Sequence, residues 1–203
     1  MSNHKILTFD NLSLQEFDTE ADLIPLLTPE DEAEMTNEEL PDSLPILPLR
    51  NTVLFPGVVI PITAGRDKSI KLINEANAGN KIIGVVAQKN EEDEDPTIND
   101  INQVGTVARI LRVLKMPDGN ITVILQGKKR FEIDSVISET PYITAKIKEC
   151  PEKRPGKHDT EFSTIVDSIK ELAIEIIKES PNIPTEATFA IKNIESQSFL
   201  INF

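Results

Sequence analysis

The stretch LPILPLRNTVLFPGVVIPI, Leu44–Ile62, decides how this chain folds. It is apolar and long enough to cross a bilayer, yet Pro45, Pro48, Pro56 and Pro61 interrupt it. Each proline removes a backbone donor and clashes with the preceding helical turn. Arg50 and Asn51 sit near its middle, where a charge in a bilayer costs at least about 2.5 kcal/mol. A membrane span is therefore rejected. The apolar residues arrive in short groups, Leu44–Leu49, Val53–Phe55 and Val58–Ile62. Groups of this size between turn formers read as buried strands joined by tight corners. The segment is expected to be extended and to fold back on itself.

Downstream, GRDKSIKLINEANAGN predicts a helix, with Asp67 as N-cap, Ile70, Ile73 and Ala76 on one face and Gly79 as the stop. KIIGVVAQK, Lys81–Lys89, reads as a buried strand, and the acidic NEEDEDPTIND that follows as a solvated loop. That loop lacks the glycine-punctuated spacing of a calcium site. QVGTVARILRVLKM and NITVILQGKK flank Pro117-Asp118-Gly119-Asn120, and Asp-Gly supplies the positive φ of a tight hairpin. Ile121, Val123 and Leu125, then Phe131, Ile133 and Ile137, then Ile143, Ala145 and Ile147 alternate with polar residues. Period two with one polar face predicts antiparallel strands half in solvent. Gly127, between two strand-like runs, predicts a bulge or corner. About six strands with corner glycines predict a small closed barrel or a strongly curled sheet.

The character changes at CPEKRPGKHD, which reads as a linker. Phe162, Ile165, Val166, Ile169, Leu172, Ala173, Ile176 and Ile177 then recur at helical spacing over about five turns. Pro181 and Pro184 break this run, and a second helical run begins near Thr185. The last residues, SFLINF, carry no closing cap or polar tail, so the helical extension is expected to be truncated at Phe203.

Charge is unevenly placed. Residues 1–44 hold twelve acidic groups against Lys5 alone; the remainder holds 22 acidic and 20 basic groups. The body is near neutral and has no basic stripe, which argues against nucleic-acid binding. The acidic leader, residues 1–43, has no sustained period and too little apolar surface to offset its backbone entropy, so it is expected to be disordered. Cys150 is the single cysteine. Together with the lack of a signal peptide, it points to a cytoplasmic protein. No membrane partner is expected.

No catalytic set is legible. Gly79 and Gly84 have phosphate-loop spacing, but Val85 and Val86 follow where lysine and a hydroxyl are needed. His4 and His158 are isolated, Cys150 has no CxxC partner, and zinc has no ligand set. Lys68 and Ser69 adjoin at a predicted helix start and suggest no dyad.

The combination PLRN-x-VLFPG, GR-x-KS, VGT-x-A, PDG and QG-x-x-R, in this order from Leu44 to about Ile147, resembles the amino-terminal domain of Lon, the ATP-dependent serine protease. The resemblance implies an α+β fold: a small antiparallel PUA-like β-barrel at 44–149, a linker at 150–158 and a helical extension at 159–203. Leu44–Ile62 then becomes the first strand, a corner at Pro56-Gly57 and the second strand, with Pro45, Pro48 and Pro61 at edges. The resemblance also implies recognition of unfolded or damaged polypeptides and a part in hexamer organisation. Partners would be the protein's own ATPase and protease modules and other Lon subunits. No cofactor is expected within 1–203; ATP and magnesium are implied for the full-length parent. Arg50, Phe55 and Phe131 are the candidate substrate-binding residues. The alternative is a stand-alone Lon-domain adaptor or ligand-binding module.

Overall fold

The computed structural model describes residues 6–7, 24–25, 35, 37–151, 159–181, 183 and 186–203. The chain forms two compact units, residues 34–153 and a second made of 1–33 with 154–203. In the second unit, β1 (Ile6–Leu7) pairs antiparallel with β2 (Ile24–Pro25). The first unit holds β3 (Ser43–Leu49), β4 (Val59–Ala64), α1 (Asp67–Ala78), β5 (Ile82–Ala87), β6 (Val104–Lys115), β7 (Ile121–Ser138) and β8 (Thr144–Glu149).

Six of these strands form one mixed sheet in the order β4-β7-β6-β5-β3-β8. A further pairing joins β8 back to β7. The sheet is not wholly antiparallel, as the alternating runs predict. β3 and β5 are parallel, with Ile46 opposite Gly84 and Leu49 opposite Ala87. The reason lies in burial. On β3, Leu44 and Ile46 enter one apolar cluster while Leu47 and Leu49 enter another. On β5, Ile83 and Val85 join the second cluster and Val86 the first. Strands covered on both faces read as continuous apolar runs, which is the signature of parallel pairing.

Leu44–Ile62 is two strands with a corner, but it does not fold back into a hairpin. β3 pairs β5 and β8, whereas β4 pairs β7 alone. Pro61 thus lies on an edge strand, where a missing donor costs little. Pro45 and Pro48 lie on an interior strand whose two halves are each paired on one side. Residues 43–45 face β8 and residues 46–49 face β5. Ile46 N donates to Ile143 O at 2.8 Å and Gln88 N donates to Leu49 O at 2.8 Å. Hydrogen-bonding direction alternates along a strand, so each proline nitrogen points to the unpaired side.

The β6–β7 hairpin forms at the Asp-Gly turn, with Gly119 at φ 88° and Met116 N donating to Asn120 O at 2.9 Å. β7 runs on past Gly127 as one strand of 18 residues. It pairs β4 up to Gln126 and β8 from Phe131, so Gly127 sits where the strand exchanges partners. α1 begins one residue earlier than the sequence signal: Arg66 is its N-cap and Asp67 its first helical residue. A carboxylate in the first turn still faces the positive helix end.

Residues ahead of Leu44 also join the β unit. Met35 is buried, Glu38 lies 3.1 Å from Lys128, and Asp42 O accepts from Ile147 N at 3.1 Å. Most of the leader, the island around Asp22–Leu27 apart from the backbone of Ile24–Pro25, and most of the 150–158 linker fall outside the described residues.

The second unit carries α2 (Thr160–Glu179), α3 (Glu186–Asn193) and α4 (Gln197–Asn202). Asp159 caps α2 by accepting from Phe162 N at 3.0 Å. Lys170 Nζ donates to Lys192 O at 3.1 Å and Ile194 O at 3.2 Å, satisfying carbonyls at the end of α3. Among the described residues no helix is long and apolar enough to cross a membrane.

Candidate recognition site

Residues 50–58 connect β3 to β4 and lie across β7. Thr106 Oγ1, itself buried, donates to Leu54 O at 2.6 Å. Gly57 N donates to Gly127 O at 3.0 Å, and Gly127 N donates to Val58 O at 2.9 Å. A Cβ on residue 127 would strike the Phe55 carbonyl, so the crossing requires glycine there. Leu54 is buried as the anchor of the loop. Its neighbours point outward, Val53 at 56% and Phe55 at 39% exposure. The Arg130 guanidinium lies 5.8 Å from the Phe55 ring centroid, within cation–π range.

A cavity of about 550 Å³ adjoins this loop. One wall is β3 from Leu47 to Leu49, and the other is β4 from Pro61 to Ala64. Both are strand segments with an unpaired side. Gly65, Arg66 and Ser69, at the start of α1, also line it, as do Arg50 and Glu94.

Arg50 Nη2 lies 3.3 Å and Arg66 Nη2 3.0 Å from the Asp93 carbonyl oxygen. Gln88 Nε2 donates to the same oxygen at 3.0 Å. Three donors thus compete for an oxygen with two lone pairs. Arg66 also donates to Gln88 Oε1 at 2.7 Å. Among the described residues neither arginine makes an ion pair. Asp95, the nearby carboxylate with a contact partner, is held by Lys68 Nζ at 2.7 and 2.8 Å. Burial first, then the like charge of Arg50, holds the Arg66 pKa below its ordinary value, against the pull of Asp95 and Glu94.

The structure separates the three candidate residues. Arg50 and Phe55 lie at opposite ends of one loop segment, both with exposed surface. Phe131 is fully buried in the cluster with Leu44 and Ile46, so it is a core residue and offers a ligand no surface. Alternating polarity along β7 was its only sequence signal, and that signal places a residue inside. Arg66, Gln88 and the carbonyl of Asp93 were missed. The GR-x-KS motif contains Arg66, but only the fold brings it beside Arg50.

Residues 43–203 match the family model of the ATP-dependent protease La (LON) substrate-binding domain. The chain belongs to the LON substrate-binding-domain family. It is 82% identical over all of its 203 residues to the Lon protease of Flavobacterium johnsoniae, of which it covers 25%. It is 51% identical over 187 residues, 92% of the chain, to the Lon protease of Cytophaga hutchinsonii, of which it covers 23%. This LON-domain chain therefore spans about a quarter of the length of the curated relatives it matches. Its fold is that of the solved amino-terminal domain of a Mycobacterium avium complex Lon protease. The TM-score is 0.61 at 21% identity, covering 79% of this chain and 80% of that one.

Proposed function

We propose that this LON domain recognises unfolded or damaged polypeptides and delivers them to ATPase and peptidase modules of a cytoplasmic, ATP-dependent Lon-type serine protease. On this reading the ring of pairings through β3, β5, β6, β7 and β8 is the PUA-like barrel, and the domain also helps to organise a hexamer. ATP and magnesium belong to the parent's other modules. The adaptor alternative is disfavoured by the two relatives, each about four times as long as this chain.

The observation that carries the reading is the pair Val53 and Phe55, exposed on a loop that buried Leu54 anchors. Native proteins bury their apolar segments; unfolded ones present them. An apolar contact beside the Arg130 guanidinium favours such segments without demanding a sequence. Affinity is expected to be weak, with dissociation constants of about micromolar or above, equivalent to about −8 kcal/mol or weaker. Six copies in a hexamer would raise avidity without new contacts. The test is titration of one protein, in its unfolded and folded forms, against this chain, followed by NMR. Preference for the unfolded form with shifts at Val53–Phe55 is expected. Equal or undetectable binding to both forms overturns the reading.

A further inference from the structure

We propose that the cavity between β3 and β4 is a subsite for the carboxyl-terminal carboxylate of an apolar-ended polypeptide, held between Arg50 and Arg66. The proposal rests on the polypeptide-recognition reading and assigns that reading a specific chemistry.

The two guanidiniums converge on one carbonyl oxygen and have no carboxylate in contact among the described residues. Placing like charges together costs energy, and a bound anion removes that cost. Planar guanidiniums pair bidentately with carboxylates. Their donor capacity is far from used: among the described residues Arg50 makes one hydrogen bond and Arg66 two. The cavity volume, about 550 Å³, falls within the range of ligand pockets. The amino-terminal turn of α1 borders it and adds a positive partial charge.

The surroundings select the kind of carboxylate. The walls include Pro48, Leu49, Pro61 and Ile62, so the group that enters is expected to have apolar residues behind it. Glu94 lines the same cavity, within a run of five acidic residues from Glu91 to Asp95. An acid-rich segment would be repelled by that run, whereas a single terminal charge would meet the arginines first. Pro48 and Pro61 also remove donors from the two unpaired edges, so a regular added strand is interrupted there. Recognition falls on the charged end of the ligand rather than on a ladder of backbone bonds.

The experiment uses the full chain and a labelled hexapeptide with three apolar residues at its end, read by fluorescence anisotropy. Three versions are compared: free acid, carboxyl-terminal amide, and an amide with an internal aspartate. The free acid is expected to bind about tenfold tighter than the amide. Arg50→Gln and Arg66→Gln should each abolish that difference, and high salt should reduce it. Glu94→Gln alters an exposed residue, leaves the fold intact and should tighten the free acid by removing the resident competitor. The Arg66→Gln variant should still bind the unfolded protein better than the folded one. If unfolded protein binds while acid and amide bind alike, the subsite is overturned and the recognition reading stands. An internal-aspartate amide that binds as well as the free acid overturns the assignment to a chain terminus. If neither unfolded protein nor peptide binds, the recognition reading fails and the subsite with it.

Discussion

Leu125 in β7 and Leu172 in α2 are the same residue in equally periodic segments, yet one is 0% exposed and the other 58%. In the β unit, non-local pairing brings apolar faces together. Val123 and Leu125 meet Leu47, Leu49, Ile83 and Ile110 from strands far apart in sequence. In α2 the helix forms locally, capped by Asp159. Only Val166 and Ile177 become buried, while Ile165, Ile169, Leu172 and Ile176 form an exposed stripe at helical spacing. Periodicity therefore tells which face of an element is apolar. It does not tell whether that face is covered. Stability in this chain is expected to reside in the β unit.

The largest effect should come from removing the side chain that most tightly fills that unit. Phe131 is fully buried, and the backbones of Gly84 and Gly105 approach its ring so closely that a Cβ at either position would touch it. Phe131→Ala should cost about 3–5 kcal/mol, transfer and cavity contributions together. Urea denaturation followed by the β-sheet signal checks this. A loss below about 1 kcal/mol would show that the packing around Phe131 collapses readily to fill the gap, and the contrast between the units would weaken.

A smaller effect sharpens the comparison at the loop of residues 50–58. Thr106 Oγ1 is the buried donor to Leu54 O, and Val keeps its shape without the hydroxyl. Thr106→Val should cost about 1–3 kcal/mol, because a buried carbonyl loses its partner. Amide exchange across Val53–Phe55 should also quicken. Unchanged exchange there would mean that Gly57 and Gly127 hold the loop without help from Thr106.

These two residues also show what the sequence made legible. Strand positions in the β unit, the Asp-Gly hairpin and the stop at Gly79 follow from local backbone chemistry and were readable, whereas the corner at Pro56-Gly57 came with the family resemblance and β1 and β2 were not foreseen. The parallel pairing of β3 with β5 left a trace in the unbroken runs LPILPL and IIGVVA, yet alternation elsewhere pointed to an antiparallel sheet. Phe131 alternates with polar neighbours, a pattern that places it inside, and the fold makes it core. The candidate site was half readable. Arg50 and Phe55 lie in the decisive stretch, whereas Arg66 and the Asp93 carbonyl reach Arg50 only through folding. Hydrogen bonds between residues tens of positions apart leave no period in a sequence.

The smallest expected effect is the most direct test of the contrast. Leu172 is 58% exposed in the middle of α2, so shortening it removes little from a covered environment. Alanine is also at least as good a helix former as leucine. Leu172→Ala should therefore change stability by no more than about 0.5 kcal/mol, as exposed substitutions do. The matched change Leu125→Ala should cost about 2–5 kcal/mol. Both are read by urea denaturation, with the helical and β signals followed separately because two units need not unfold together. A loss above about 1 kcal/mol at Leu172 would mean that the stripe is covered in solution. The same measurement at Ile165, Ile169 and Ile176 would then trace the covered face, since contact along one helix face should weaken all four positions together.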